Sequence, residues 1–475
     1  MNGLHSTLLG LVLAGLSLHG LAMDYGQDLP SPSGPQVLAN AHGEHNHWSG
    51  IGRLTVEGGR QCIGSLIDTR SEQGETTGPA YVVTAGHCIS LHNGIIVQDK
   101  PMEAKIAFNH FGDTRDARRE FPTRRIIWSS IQGSDLALVE LDASLQQVMD
   151  QGIEPMKLGE PVPSGSEVVV VGEPSSAGTG LRLSACTEQD LPVLKQGLWV
   201  WRNLKLNNCP GIADGASGSP VIDRASNRIV SVINTLTQDA VGAIPVRRML
   251  GCFAQGHADL NQPACELLPG FQFQQTSLES FSQFRRIALD AEGNTLPPTW
   301  KVAFTLDTPR YRYKAVRDPL ACERPEGYSG TLASSTGLID APIAAEAGWH
   351  YLCVVGVESA DALSWPGLMA NAVSLPVQVL EAGAVAAPHV TVERLENGDA
   401  KLSWHVKPPH IVRYRVKRGP PAITDCDDLK GYGGRVGPSY VFKADTLPLK
   451  VCTIAIDGLK ESSTPRTDLL LPDQG

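Results

Sequence analysis

Asp214-Gly215-Ala216-Ser217-Gly218-Ser219-Pro220 is a loop of small residues around one hydroxyl, and the apolar pair Val221-Ile222 follows it. Gly215 and Gly218 allow sharp turns on either side of Ser217 and leave main-chain N–H groups bare. A serine hydroxyl becomes a useful nucleophile when a base takes its proton. Attack on a carbonyl also needs donors aimed at the oxyanion that forms. The N–H groups of Gly215 and Ser217 can supply them. A base is available upstream, where Tyr81-Val82-Val83-Thr84-Ala85-Gly86-His87-Cys88 reads as an apolar strand ending in a histidine. Between the two, Ser134-Asp135-Leu136-Ala137-Leu138-Val139 sets an aspartate at the start of another strand. Asp116 and Asp142 are alternatives, but neither opens an apolar strand so cleanly.

Histidine, aspartate and serine in that order, with Cys88 beside the histidine, resemble the chymotrypsin-like (trypsin-like) serine peptidases over about residues 48–250. The resemblance implies two six-stranded antiparallel β-barrels with the three residues between them. It implies that Ser217 attacks the scissile carbonyl, that His87 takes and returns the proton, and that Asp135 orients the imidazole. Gly215 and Ser217 become the oxyanion hole. Ser231 matches a family serine that supports the aspartate, and Cys62 matches the half-cystine that bridges to Cys88. No cofactor and no metal is implied. The sequence departs from the trypsin pattern at Ala216, where zymogens carry an aspartate that pairs with a freed N-terminal amine. Ser219 stands where glycine is usual, so Ser217-Gly218-Ser219-Pro220 is closer to bacterial trypsin-fold enzymes, including the glutamyl endopeptidases. Counting back from Ser217 sets the pocket floor near Gly211 and Asn234-Thr235 on its wall, which gives no support to cleavage after Lys or Arg.

The chain has 475 residues and a formal net charge of -10. That length predicts several domains. An acidic balance offers nothing to a nucleic-acid backbone, so the expected partners are proteins or peptides. The run Leu8–Leu16 followed by Gly20-Leu21-Ala22 reads as a secretory signal peptide, residues 1–22. No later run is long and apolar enough to span a bilayer, so a secreted or periplasmic protein is expected.

Ten cysteines fall into neighbouring pairs: Cys62-Cys88, Cys186-Cys209, Cys252-Cys265, Cys322-Cys353 and Cys426-Cys452. Behind a leader an even count reads as disulfides. Residues 23–47, rich in Pro, Ser, Gly and Asn, read as a flexible N-terminal segment or pro-segment that blocks the cleft, its His42, His45 and His47 in an exposed loop. The peptidase domain is expected over 48–269. Beyond it three landmarks recur about 100 residues apart: Tyr311-Arg312-Tyr313-Lys314 and Tyr414-Arg415-Val416-Lys417, Cys322 to Tyr328 and Cys426 to Tyr432, then the strands at Cys353 and Cys452. This predicts two β-sandwich modules, 275–382 and 388–475, resembling fibronectin type III or immunoglobulin-like domains. The expected fold is thus all-β. The expected function is a serine endopeptidase whose rear modules bind substrate or a surface. A catalytically silent adhesion or binding protein, or an esterase using the same nucleophile, are the rival readings.

Overall fold

The computed structural model describes residues 25–71, 74–174, 178, 180–237, 240–277, 283–407, 410–434 and 437–472. The predicted leader, 1–22, lies outside them. Strand β1 (Ser33–Val37) precedes two barrels. The first contains β2 (Ile51–Thr55), β3 (Gln61–Ile67), β4 (Pro79–Thr84), β5 (Ile96–Pro101), β6 (Lys105–Phe108), β7 (Arg119–Ser130) and β8 (Leu136–Ser144). Six strands close in the order β7-β6-β2-β3-β4-β8, with β8 paired back to β7 and β5 added outside. The second contains β9 (Ser166–Gly172), β10 (Arg182–Gln196), β11 (Trp199–Asn207), β12 (Pro220–Asp223), β13 (Arg228–Leu236) and β14 (Val241–Pro245). It closes in the order β10-β11-β14-β13-β12-β9, through β9–β10. Both barrels are antiparallel.

Apolar runs such as Val168-Val169-Val170-Val171 form strands buried on both faces. Val168 and Val170 join one cluster, while Val169 and Val171 join another that also takes Ile63, Val83 and Leu138 from the first barrel. Alternation of side chains across a strand makes this division. A buried polar junction also ties the barrels. Glu173, fully buried, pairs with Arg53 of β2 and accepts hydrogen bonds from His110 Nε2 (2.9 Å) and the Gly180 N–H (2.7 Å). Burial opposes its charge, but His110, Gly180 and Arg53 outweigh that and hold the carboxyl down at about 2.

The N-terminal segment is not the flexible arm its composition predicts. β1 pairs antiparallel with β10, the Leu38 N–H donates to Leu181 O at 2.9 Å, and Asp113 accepts from the Asn40 and Ala41 N–H groups. The buried Arg224 guanidinium collects the carbonyls of Gly26, Gln27 and Leu29, and donates to Ser31 Oγ at 2.9 Å. His45 and His47 pack against Trp48, and His47 is buried, whereas His42 is exposed. The segment adds an edge strand to the second barrel, because β10 offers it a free edge and Arg224 an anchor.

Two further units follow. The first has a three-stranded sheet (Phe273–Gln275, Val302–Leu306, Leu338–Ile339) and a five-stranded one with Arg310–Val316, Gly348–Val357 and Val373–Leu380 at its centre. The second has three strands (Val390–Arg394, Ala400–Trp404, Ser439–Phe442) and four others including Ile411–Gly419 and Leu449–Asp457. One detail occurs in both. Tyr328 Oη donates to Cys322 O and Tyr432 Oη to Cys426 O, each at 2.8 Å. All five neighbouring cysteine pairs are bridged. Among the described residues no helix is long and apolar enough to cross a membrane.

The first sandwich docks directly on the barrels. Arg202 of β11, with no exposed side-chain surface, donates to the carbonyls of Ala370 (2.9 Å) and Ala372 (3.1 Å), to Ser374 Oγ, and to Glu323 (2.8 Å). Asn371, fully buried, donates to Leu267 O and Pro269 O at 2.9 Å and accepts from Arg248 at 2.7 Å. Gln132 donates to the Asn371 carbonyl. These contacts surround the segment that leads into Asp135.

Candidate active site

β4 ends at Thr84, and a 3-10 turn, Gly86–Cys88, carries His87. A Cβ on Gly86 would lie 2.1 Å from Ser130 O, so only glycine lets this turn close on the segment before β8. The approach delivers two hydrogen bonds to Asp135. The His87 N–H donates to Oδ1 at 2.7 Å, and Nδ1 meets Oδ2 at 2.8 Å. Asp135 is fully buried, while the His87 side chain keeps 23% of its surface exposed. Burial works against the charged imidazole, and Arg60 opposes it further. The charge and hydrogen bond of Asp135 prevail and raise His87 above the ordinary histidine value. The Cys62-Cys88 bridge fixes the far side of the turn to β3. Cys62, His87 and Cys88 lie close enough to suggest a metal site, but both sulfurs are bonded to each other and are not thiolate ligands.

The serine loop is held from both barrels. The Ile63 N–H donates to Ser217 O at 2.8 Å, and the Gly218 N–H donates to Ile233 O at 2.8 Å. Gly218 has φ +87°, and a Cβ there would fall 1.9 Å from Ile63 O. Inside the loop the Ala216 N–H donates to Ala213 O and the Ser219 N–H to Ala216 O, both at 3.0 Å. Ser219 Oγ also donates to Ala216 O, at 2.6 Å. The N–H groups of Gly215 and Ser217 and the Ser217 hydroxyl take no hydrogen bond among the described residues. From Gly215 to Ser219 the loop therefore spends every amide except the two expected to face an oxyanion. Ala216 is buried and offers no carboxylate.

One cavity of about 310 Å3 is lined by His87, Asp135 and Ser217 together. Ile131, Trp199, Trp201 and Ile212 form apolar walls, and Asn234 and Thr235 line it as expected. The two tryptophans were not anticipated. Trp199-Val200-Trp201 sits on β11, so alternation puts both rings on one face, stacked at 5.9 Å and 26°. Gly211 does not line the cavity. It lies under the N-terminal strand, where a Cβ would meet Pro35 Cγ at 2.4 Å.

Ser231 does not reach Asp135. Its Oγ donates to the buried Glu188 Oε1 at 2.6 Å. The contact to Asp135 from β13 is made by Asn234, whose Nδ2 lies 3.5 Å from Oδ2. The β13–β14 register shifts between Ile233 and Thr235, and Asn234 sits at that irregularity. Burial pushes the Glu188 carboxyl up to about 7 against the opposing effects of Ser231 and Lys205.

Residues 66–232 match the family model of the trypsin-like peptidase domain. This part of the chain is a trypsin-like peptidase domain. Its substrates as a family are proteins or peptides. Among solved structures, the chain is similar to the thermostable serine protease AL20 from an extremophilic microorganism, with 15% identity and TM-score 0.31, covering 42% of this chain and 92% of that one. The protease Anisep from Arthrobacter nicotinovorans gives 16% identity and TM-score 0.32, covering 42% and 91%. A Glu endopeptidase in complex with MPD gives 15% and 0.32, covering 46% and 91%. No curated protein matches the sequence.

Proposed function

We propose that the chain is a secreted serine endopeptidase that cleaves through an acyl-enzyme. Ser217 Oγ attacks the scissile carbonyl carbon while His87 Nε2 takes its proton. Asp135 holds Nδ1 and steadies the imidazolium, and Asn234 helps fix the carboxylate. The N–H groups of Gly215 and Ser217 donate to the oxyanion; such a donor is worth about 10²–10³ in turnover. His87 then protonates the leaving amine, and water, deprotonated by the same imidazole, releases the acyl group. The observation carrying this reading is the His87–Asp135 pair, its carboxylate buried, opening into a cavity that also holds an unspent serine hydroxyl. Five disulfides agree with export to an oxidising compartment.

A fluorophosphonate probe tests it. Labelling and peptide turnover are expected in the wild type and are expected to vanish in Ser217→Ala. Turnover of simple esters without any peptide would favour an esterase. Absence of labelling in a folded wild type would favour a silent binding protein.

A further inference from the structure

The cavity at Ser217 does not end at the barrel rim. An adjoining cavity of about 390 Å3 shares Leu91, Gln196 and Trp199 with it. Its opposite wall comes from outside the trypsin-like domain: Phe273, Gln274 and Leu375 of the first sandwich. That wall is fixed to the barrel. The Phe273 N–H donates to Gly94 O at 2.8 Å, and Gln272 exchanges two hydrogen bonds with the backbone of Ile96. Gly94 has φ +85°, and a Cβ on it would sit 2.3 Å from Phe273 O, so the loop and the sandwich strand are in direct backbone contact. Lys195 of β10 makes a further contact with the sandwich, its Nζ 4.0 Å from the Trp349 ring centre. The groove is thus built before any substrate arrives. Leu91, 53% exposed, stands between the two cavities.

We propose that the first sandwich supplies a remote subsite of the substrate cleft, which takes an apolar side chain of an extended polypeptide several residues from the scissile bond. This rests on the peptidase reading above. Continuity decides the occupant: a chain held at Ser217 and passing Trp199 enters the second groove without leaving a surface that both share. An extended segment advances about 3.3 Å per residue and presents alternate side chains to one wall. The preferred substrate is therefore an unfolded or loop segment with an apolar residue at a set distance from the cut, not a short peptide. Burying such a side chain raises kcat/KM by roughly 10- to 100-fold.

The test uses the full chain and two substrate sets: short esters that fill only the Ser217 cavity, and long peptides with Leu or Asp scanned through each position on both sides of the cut. The wild type is expected to prefer Leu at one distant position by roughly tenfold or more. Leu198→Asp alters the barrel wall and Gln274→Glu the sandwich wall. Each is expected to abolish that preference while leaving short-ester turnover unchanged, which also reports on folding. A wild type without any distant preference, or variants that keep it, would overturn the proposal. If the wild type fails on the short esters, the peptidase reading itself falls and the subsite with it.

Discussion

Replacing Glu188 with glutamine is expected to stabilise the protein, and only above acid pH. Glu188 has no exposed surface, one oxygen accepts from Ser231 at 2.6 Å, and the other has no partner among the described residues. Burial of this oxygen pair pushes the carboxyl from 4.5 up to about 7. A folded-state value raised above the unfolded one means that the native state holds its proton more tightly. The stabilisation is complete below about 4.5 and is lost as pH rises through about 7. The gap between those values corresponds to about 3 kcal/mol at full loss. The amide in Glu188→Gln stays neutral at every pH and leaves the Ser231 hydroxyl an acceptor. Urea unfolding of wild type and Glu188→Gln, followed by near-UV signals of the barrel tryptophans, should therefore coincide near about pH 4 and separate by about 3 kcal/mol near about pH 8. A difference that is constant with pH, or that grows toward acid, would refute the reasoning, since either result means that the carboxyl is not neutral in the fold.

Two other predictions concern the site and its support. His87 is raised above 6.5 by Asp135, and catalysis needs the neutral imidazole, so the acid limb of kcat/KM should fall above that value; Asp135→Asn should move the limb down and slow turnover by roughly 10³–10⁴, and an unmoved limb would remove His87 as the base. Arg202→Met strips two buried carbonyls and Glu323 of their donor, and should cost at least about 2 kcal/mol. Calorimetry should then show the first sandwich melting ahead of the barrels, and a single unaltered transition would count against a coupled unit.

The parts of the site made by local patterns were legible in the sequence. Small residues around Ser217, an apolar strand ending at His87 and a strand opening at Asp135 each announce themselves within a few positions. What could not be read depends on partners far along the chain. Composition makes residues 23–47 look like a loose arm, yet Arg224, nearly 200 positions away, gathers the carbonyls of Gly26, Gln27 and Leu29. The resemblance points to Ser231 as the support of Asp135, yet Ser231 is taken by the buried Glu188 and the contact to Asp135 comes from Asn234, which only the folded chain reveals. The Trp199 and Trp201 walls follow from strand alternation, but nothing local says which face of β11 meets the cleft.

The two rear units differ in how they are joined to the rest, and the difference has a physical consequence. A guanidinium taken fully out of water costs several kcal/mol unless its donors are satisfied. Arg202 satisfies this by facing four partners of the first sandwich, and Arg248, largely buried, is held at the same seam through Nε and Nη2 by Glu266 O and Asn371, its Nη1 having no partner among the described residues. Separating that seam would strand both charges in the native barrel until water reached them. Gly133, two residues before Asp135, has no room for a Cβ because Arg202 Nη2 would lie 2.4 Å away. The Asp135 segment is thus packed against the sandwich through the same arginine. The second sandwich instead meets the first through Arg286, which pairs with Asp457 and with the mostly exposed Glu461. The exposed Glu461 pair contributes about 0–1 kcal/mol, whereas the Arg286–Asp457 pair is largely buried. The first sandwich is therefore tied to the barrels, beside the Asp135 segment, by two guanidinium groups, while the second is tied to the first by the single guanidinium of Arg286, which also donates to the carbonyls of Glu381 and Gly383.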